Sequence, residues 1–154
     1  MPENINVIIA GTEPSLNVIV SGTGPQGDIG PQGPQGDPSD SVILTASGSI
    51  GGSRVICNTN GIATYADSSD VGTAHNISGI SFNAAADGDP VTVITGGPIV
   101  EVSWSWTQTL PIYVSTTGLL TQTPPVSGYI RKIGFAQSAT TIIVQEFQPI
   151  ILGV

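Results

Sequence analysis

From Gly24 to Pro38 glycine returns at every third position without a break, as G-P-Q, G-D-I, G-P-Q, G-P-Q, G-D-P. A chain with that period can wind with two others into a collagen triple helix, because only glycine fits where three polyproline-like strands crowd a common axis. Pro25, Pro31 and Pro34 hold φ near the polyproline value, and the Gln and Asp side chains point into water. Gly24, Gly27, Gly30, Gly33 and Gly36 are therefore the expected trimerisation positions, and a homotrimer is the expected assembly. At about 3 Å per residue the rod spans roughly 45 Å.

The rod has defined ends. Gly22 precedes Gly24 by only two residues, and the next axial position after Gly36 is Ser39. So short a rod makes few interchain hydrogen bonds against the entropy of aligning three chains, so folded parts must clamp it. Three segments follow: an N-terminal β arm over residues 1–23, a collagen-like rod over 24–38, and a C-terminal β domain over 39–154.

The arm repeats itself. Asn4-Ile5-Asn6-Val7-Ile8-Ile9-Ala10-Gly11 is echoed by Ser15-Leu16-Asn17-Val18-Ile19-Val20-Ser21-Gly22, with Glu13-Pro14 as the turn between two short strands. Two strands this apolar do not stand alone in water. They read as the anchoring end, with Ile5, Val7, Ile9, Leu16, Val18 and Val20 as the docking residues; the plainer alternative is a trimer cap that docks to nothing. The arm lacks a basic leader and is interrupted by Glu13 and Pro14, so neither a signal peptide nor membrane insertion is expected.

Charge narrows the partners. The formal net charge is −8, with Arg54, Arg131 and Lys132 the only fixed cations, so a phosphate backbone would be repelled and nucleic acid is not an expected partner. The single cysteine, Cys57, excludes an intrachain disulfide and reads as a small buried apolar residue.

Beyond Ser39-Asp40-Ser41 the chain is rich in Gly, Ser, Thr, Asn and β-branched residues, a mixture suited to short strands and tight turns. Val42-Ile43-Leu44 begins a first strand. Val55-Ile56-Cys57 and Ile62-Ala63-Thr64-Tyr65 flank Asn58-Thr59-Asn60-Gly61, where Asn-Gly supplies the positive φ of a hairpin. A polar loop over 67–76, a strand from Ile77 to Phe82, a turn from Asn83 to Pro90, a strand from Val91 to Thr95 and a turn at Gly96-Gly97-Pro98 follow. Val100, Val102, Trp104 and Trp106 then alternate with Glu101, Ser103 and Ser105, which predicts a strand with one buried and one wet face.

The second half of this region echoes the first. Ile112 to Thr121 matches Val55 to Thr64 with glycine over glycine, Ile133-Gly134-Phe135-Ala136 echoes Ser78-Gly79-Ile80-Ser81, and Ile142-Ile143-Val144 echoes Val91-Thr92-Val93. Two related β motifs facing each other across the Trp strand predict a mainly β fold, an antiparallel barrel or sandwich of about eight to ten strands. Phe147 to Leu152 is apolar and is expected along the trimer axis or against a neighbour.

Little here suits catalysis. His75 is the only histidine and sits in a Ser/Asp/Asn loop with no cysteine or second histidine nearby, so no enzyme activity and no cofactor are expected. Asp67 with Asp70 and Asp87 with Asp89 could in principle hold a cation, but the oxygen-rich pattern of a dedicated calcium loop is missing and turn formation is the simpler role. Trp104 and Trp106 could form a sugar platform; a core or subunit interface is the reading their large apolar area favours.

Four runs carry a resemblance: G-I-S-F-N-A-A-A-D-G-D-P-V-T-V (Gly79 to Val93), S-W-S-W-T (Ser103 to Thr107), P-I-Y-V-S-T-T-G-L-L-T-Q-T-P-P (Pro111 to Pro125) and I-G-F-A-Q-S-A-T-T-I-I-V (Ile133 to Val144). Together they resemble a β-rich domain of tailed-phage and prophage virion proteins, which in several cases follows a collagen-like segment. The G-D-P-V-T-V stretch is also distantly similar to capsid-cement domains. The resemblance covers most of residues 42 to 146, leaves the arm outside, and brings no active residues with it. It implies a virion protein: a trimeric tail fibre whose arm docks to the tail or baseplate and whose knob contacts a host-surface glycan or protein, or else a capsid decoration or head-fibre protein.

Overall fold

The computed structural model describes residues 40–153, in which β-branched runs divided by small polar turns make twelve short strands. The arm residues Ile5, Val7, Ile9, Leu16, Val18 and Val20 and the axial Gly24, Gly27, Gly30, Gly33 and Gly36 lie outside the described residues. The first five strands are β1 (Ser41–Ala46), β2 (Val55–Thr59), β3 (Ile62–Tyr65), β4 (Ile77–Ser81) and β5 (Pro90–Ile94). β2 and β3 form the hairpin expected from Asn-Gly: Asn60 and Gly61 take φ of 53° and 85°, and the Asn58 carboxamide oxygen accepts the Gly61 N–H at 2.8 Å.

These strands close into a barrel, in the order β1-β5-β4-β2-β3 and back to β1. Four seams are antiparallel, but β1 meets β3 in parallel, with Thr45 opposite Ile62. The purely antiparallel expectation is corrected here for a geometric reason: an odd number of strands cannot alternate direction all the way round, so one parallel seam is forced.

A second sheet comprises β6 (Gly97–Val100), β7 (Pro111–Val114), β8 (Leu120–Thr121), β10 (Lys132–Ala136) and β11 (Thr141–Val144), while β9 (Tyr129–Ile130) and β12 (Ile150–Ile151) pair separately. Its order, β6-β11-β10-β7-β8, reproduces that of the barrel strand for strand. The internal echo in the sequence is thus a duplicated β unit. Even the irregularities recur. Ile56 faces Gly79 and Cys57 faces Ile77, skipping Ser78; Ile112 faces Gly134 and Tyr113 faces Lys132, skipping Ile133. Each unit therefore bulges at the residue before the glycine of its central strand.

Both glycines are there because the next strand lies too close for a side chain. A Cβ on Gly79 would sit 2.0 Å from the Ile94 carbonyl oxygen, and one on Gly134 would sit 1.9 Å from that of Ile143. The turn between β7 and β8 also keeps the paired positive φ of the first hairpin, at Thr117 (52°) and Gly118 (71°). The register differs from the one read in the sequence: Ile94, not Thr92, corresponds to Ile143, since each pairs with the residue following the central glycine.

The two units bury the same face in different ways. Alternation along β2 sends Ile56 inward to join Leu44, Ala46, Ala63, Val91 and Val93 inside the barrel, and Val55 and Cys57 outward. The second unit stays open. It lays Ile99, Ile112 and Ile142, counterparts of inward-facing Val42, Ile56 and Val93, against the barrel's outer wall at Val55, Cys57, Ile80 and Ile94. The fold is accordingly both barrel and layered sheet, and it has more strands than the eight to ten expected because several are only two residues long.

Two sequence expectations fail around the point where the second unit would close. Gly97-Pro98 belongs to β6, not to a turn. The Trp segment is not a strand: after β6 the chain turns at Val102 and Ser103, with Val102 87% exposed, so no buried apolar face runs from Val100 to Trp106. Thr107 instead exchanges two backbone hydrogen bonds with the Gln122 side chain just past β8, at 2.9 and 2.8 Å. Trp106 donates its backbone N–H to the Ala139 carbonyl in the β10–β11 connection. Gln122 thereby stands in for a partner strand.

Candidate functional site: a polar cavity beside the paired bulges

Just before the strand that carries the second bulge stands the one buried cation among the described residues. Arg131 lies between β9 and β10 and is 4% exposed. Its guanidinium crosses to the first unit, where Nη1 donates to the Ala74 carbonyl at 2.7 Å and Nη2 to the Ile77 carbonyl at 3.3 Å. Nε is buried with no protein acceptor. The nearest carboxylate is Glu146, 4.0 Å from Nη2 and itself 79% exposed. Burial lowers the Arg131 pKa and Glu146 pulls it back up. The site therefore holds a desolvated cation without a close counter-ion, an arrangement that costs free energy until an anion approaches.

A cavity of about 270 Å³, partly open to solvent, lies against this group. Its polar lining is Ser78, Thr95, Arg131, Lys132, Gln145 and Glu146, and both bulged residues, Ser78 and Ile133, border it. Two of the three Lys and Arg residues of a chain with net charge −8 thus border one hollow. On the other side of Lys132 a larger apolar hollow of about 450 Å³ is lined by Tyr113, Pro124, Ile130, Phe147 and Ile150. Lys132 Nζ stands 3.7 Å from the centre of the Phe147 ring, a cation–π contact that fixes the wall between them. Phe147 and the exposed Ile150 and Ile151 place the apolar C-terminal run partly at this hollow and partly in solvent.

Behind Arg131, Tyr129 and Thr73 share a hydroxyl–hydroxyl hydrogen bond of 3.0 Å, and Cys57 Sγ donates to the Thr73 carbonyl at 3.5 Å. Cys57 is 2% exposed, and burial pushes its pKa up to about 11 against the opposing pull of Arg131. It is an inert thiol of the core, as its sequence context suggests. The sign of its effect on stability follows. The unfolded thiol ionises from about pH 9 while the folded one keeps its proton to about 11, so stability falls as pH rises through that window. The loss attributable to Cys57 is up to about 2–3 kcal/mol. Urea midpoints should decline from pH 9 to 11 more steeply in the native chain than in Cys57→Ala; equal slopes would show that the thiol is not held neutral.

The other residues singled out in the sequence lie elsewhere. Trp104 and Trp106 pack half-buried on the inter-unit core, with ring centroids 5.7 Å apart and planes tilted by 56°. Neither lines the cavity. Asp67 caps the loop of 67–76 by accepting from the Ser69 and Thr117 N–H groups at 2.9 and 3.2 Å, and the Ser69 hydroxyl bond leads the interactions that lower its pKa. Asp70 accepts from the Gly72 N–H at 2.9 Å, and Asp87 accepts from the Gly48 N–H at 2.7 Å. These three aspartates have turn-forming roles. Among the described residues no group of three or more His, Cys, Asp or Glu gathers to hold a metal ion, and His75 is exposed.

Arg131 was recorded in the sequence only as a charge. The one signal available was a cation pair inside an apolar run, Tyr129-Ile130-Arg131-Lys132-Ile133. Comparison with known families finds no family model that matches the chain, and comparison with characterised proteins finds none that matches it. The likeness to tailed-phage virion domains accordingly rests on the motif residues quoted above.

Proposed function

We propose that this chain is a structural virion protein of a tailed bacteriophage: a homotrimeric tail fibre whose arm docks to the tail or baseplate and whose β domain contacts the host. The observation that carries this reading is the junction between rod and domain. Five uninterrupted Gly-X-Y triplets end at Pro38 in the sequence, and β1 of the closed barrel begins at Ser41, so only Ser39 and Asp40 stand between the repeat and the barrel's first strand. A continuous rod that feeds directly into a folded domain transmits position and multiplies contacts, since three linked copies raise the effective concentration of any site each one carries.

The second reading is a head-fibre or capsid-decoration trimer. It is favoured by Gly88-Asp89-Pro90, the part of the cement-like stretch that forms the turn into β5. Fractionating purified virions into heads and tails and probing each for the chain separates the two. Recovery with tails is expected; recovery only with capsids would replace the first reading by the second.

A further inference from the structure

We infer that the cavity beside Arg131 binds a sugar carrying a carboxylate, of the hexuronic acid class. Three features of the site select this chemistry. Arg131 is buried, its Nε has no acceptor, and its ion-pair partner among the described residues is the exposed Glu146 carboxylate at 4.0 Å. A ligand carboxylate would give the guanidinium the close counter-ion it lacks. Lys132, on the same rim, adds a second positive charge.

Glu146 sets the rest of the specificity. A bare anion such as phosphate would be repelled by Glu146 and would leave its acceptor oxygens unused. A neutral sugar would use Glu146 but leave Arg131 without a counter-ion. A uronic acid satisfies both: its carboxylate faces Arg131 and Lys132, and its hydroxyls donate to Glu146 and exchange hydrogen bonds with Ser78, Thr95 and Gln145. A volume of about 270 Å³ lies just below the usual range of drug-sized pockets, which matches one sugar ring better than an oligosaccharide. The two bulged residues, Ser78 and Ile133, both border the cavity, and bulges recur beside binding sites.

The source of such a ligand, an acidic polysaccharide on the host surface, rests on the proposed fibre function; the site itself does not. Titrating the full-length chain with glucuronate, and following amide chemical shifts, should show saturable binding with a Kd of about a millimolar and shifts centred on Ser78, Thr95 and Gln145. Glucose and acetate should each bind at least about tenfold more weakly. Lys132→Gln, at a half-exposed position, should weaken glucuronate by about threefold or more without changing the response to glucose, and Glu146→Gln should raise the affinity for acetate. Glucuronate binding no tighter than glucose, an absence of saturation, or shifts remote from the cavity would overturn the assignment. A chain that binds free glucuronate but is not retained by host cells would keep the site and end the host-contact reading. Retention that free glucuronate fails to compete would keep the host-contact reading, place that contact away from the cavity and overturn an acidic host polysaccharide as the source of the ligand.

Discussion

Gly134→Ala is expected to unfold the β domain or destabilise it by more than about 3 kcal/mol. Two terms compete. Alanine in place of glycine restricts the unfolded chain and on that account alone stabilises by about 0.4–1 kcal/mol. Against it stands a Cβ placed 1.9 Å from the Ile143 carbonyl oxygen, 2.9 Å from its carbonyl carbon and 3.3 Å from Val144 Cα. All three neighbours are backbone, so no rotamer change relieves the contact; the β10–β11 seam must part, and with it the packing of Ile142 and Val144. Gly79→Ala meets the Ile94 carbonyl at 2.0 Å and should behave alike, because it is the same position of the duplicated unit. Gly153→Ala has open space and should stay within about 0.5 kcal/mol of the native chain. Urea unfolding of the three variants checks this; a Gly134→Ala protein as stable as Gly153→Ala would mean that the strands are not this close.

How much of this arrangement could be read beforehand depended on how local its cause is. The Asn60-Gly61 hairpin was legible because its positive φ values are set by the residues in the turn itself. The echo of that hairpin at Thr117-Gly118 was legible for the same reason, although a 3-10 turn at Thr116–Gly118 widens the second connection. The Trp segment misled because period-two alternation says which side chains share a face of an extended chain, not that a neighbouring strand exists. Gly97-Pro98 misled because proline usually marks a turn, yet β6 is an edge strand and can spare the missing N–H. The cavity was illegible for a further reason. Arg131 owes its environment to carbonyls at Ala74 and Ile77, 57 and 54 positions earlier, and to a bulge whose skipped residue only the strand pairing reveals.

The second large effect concerns the rod. Gly30→Ala should lower the trimer association constant by at least about tenfold, and should abolish polyproline-type circular dichroism near physiological temperature. Gly30 is the middle glycine of the five in the repeat, so in the proposed triple helix a Cβ there would disturb the triplets on both sides. Every trimer would carry three such groups at the same height on the axis. Gln32→Ala changes the third position of the same Gly-X-Y triplet, not the axial one, and serves as the control. The β domain should melt unchanged in both variants, because its barrel and inter-unit cores are built within one chain. A Gly30→Ala protein that stays fully trimeric would locate the association in the β domain or the arm, and not in the repeat.

The proposed fibre requires association in threes, and sedimentation equilibrium of the native full-length chain tests that most directly. A single species of three times the chain's mass, retained on dilution to the micromolar range, is the predicted result. A stable monomer or dimer without polyproline-type circular dichroism would contradict it.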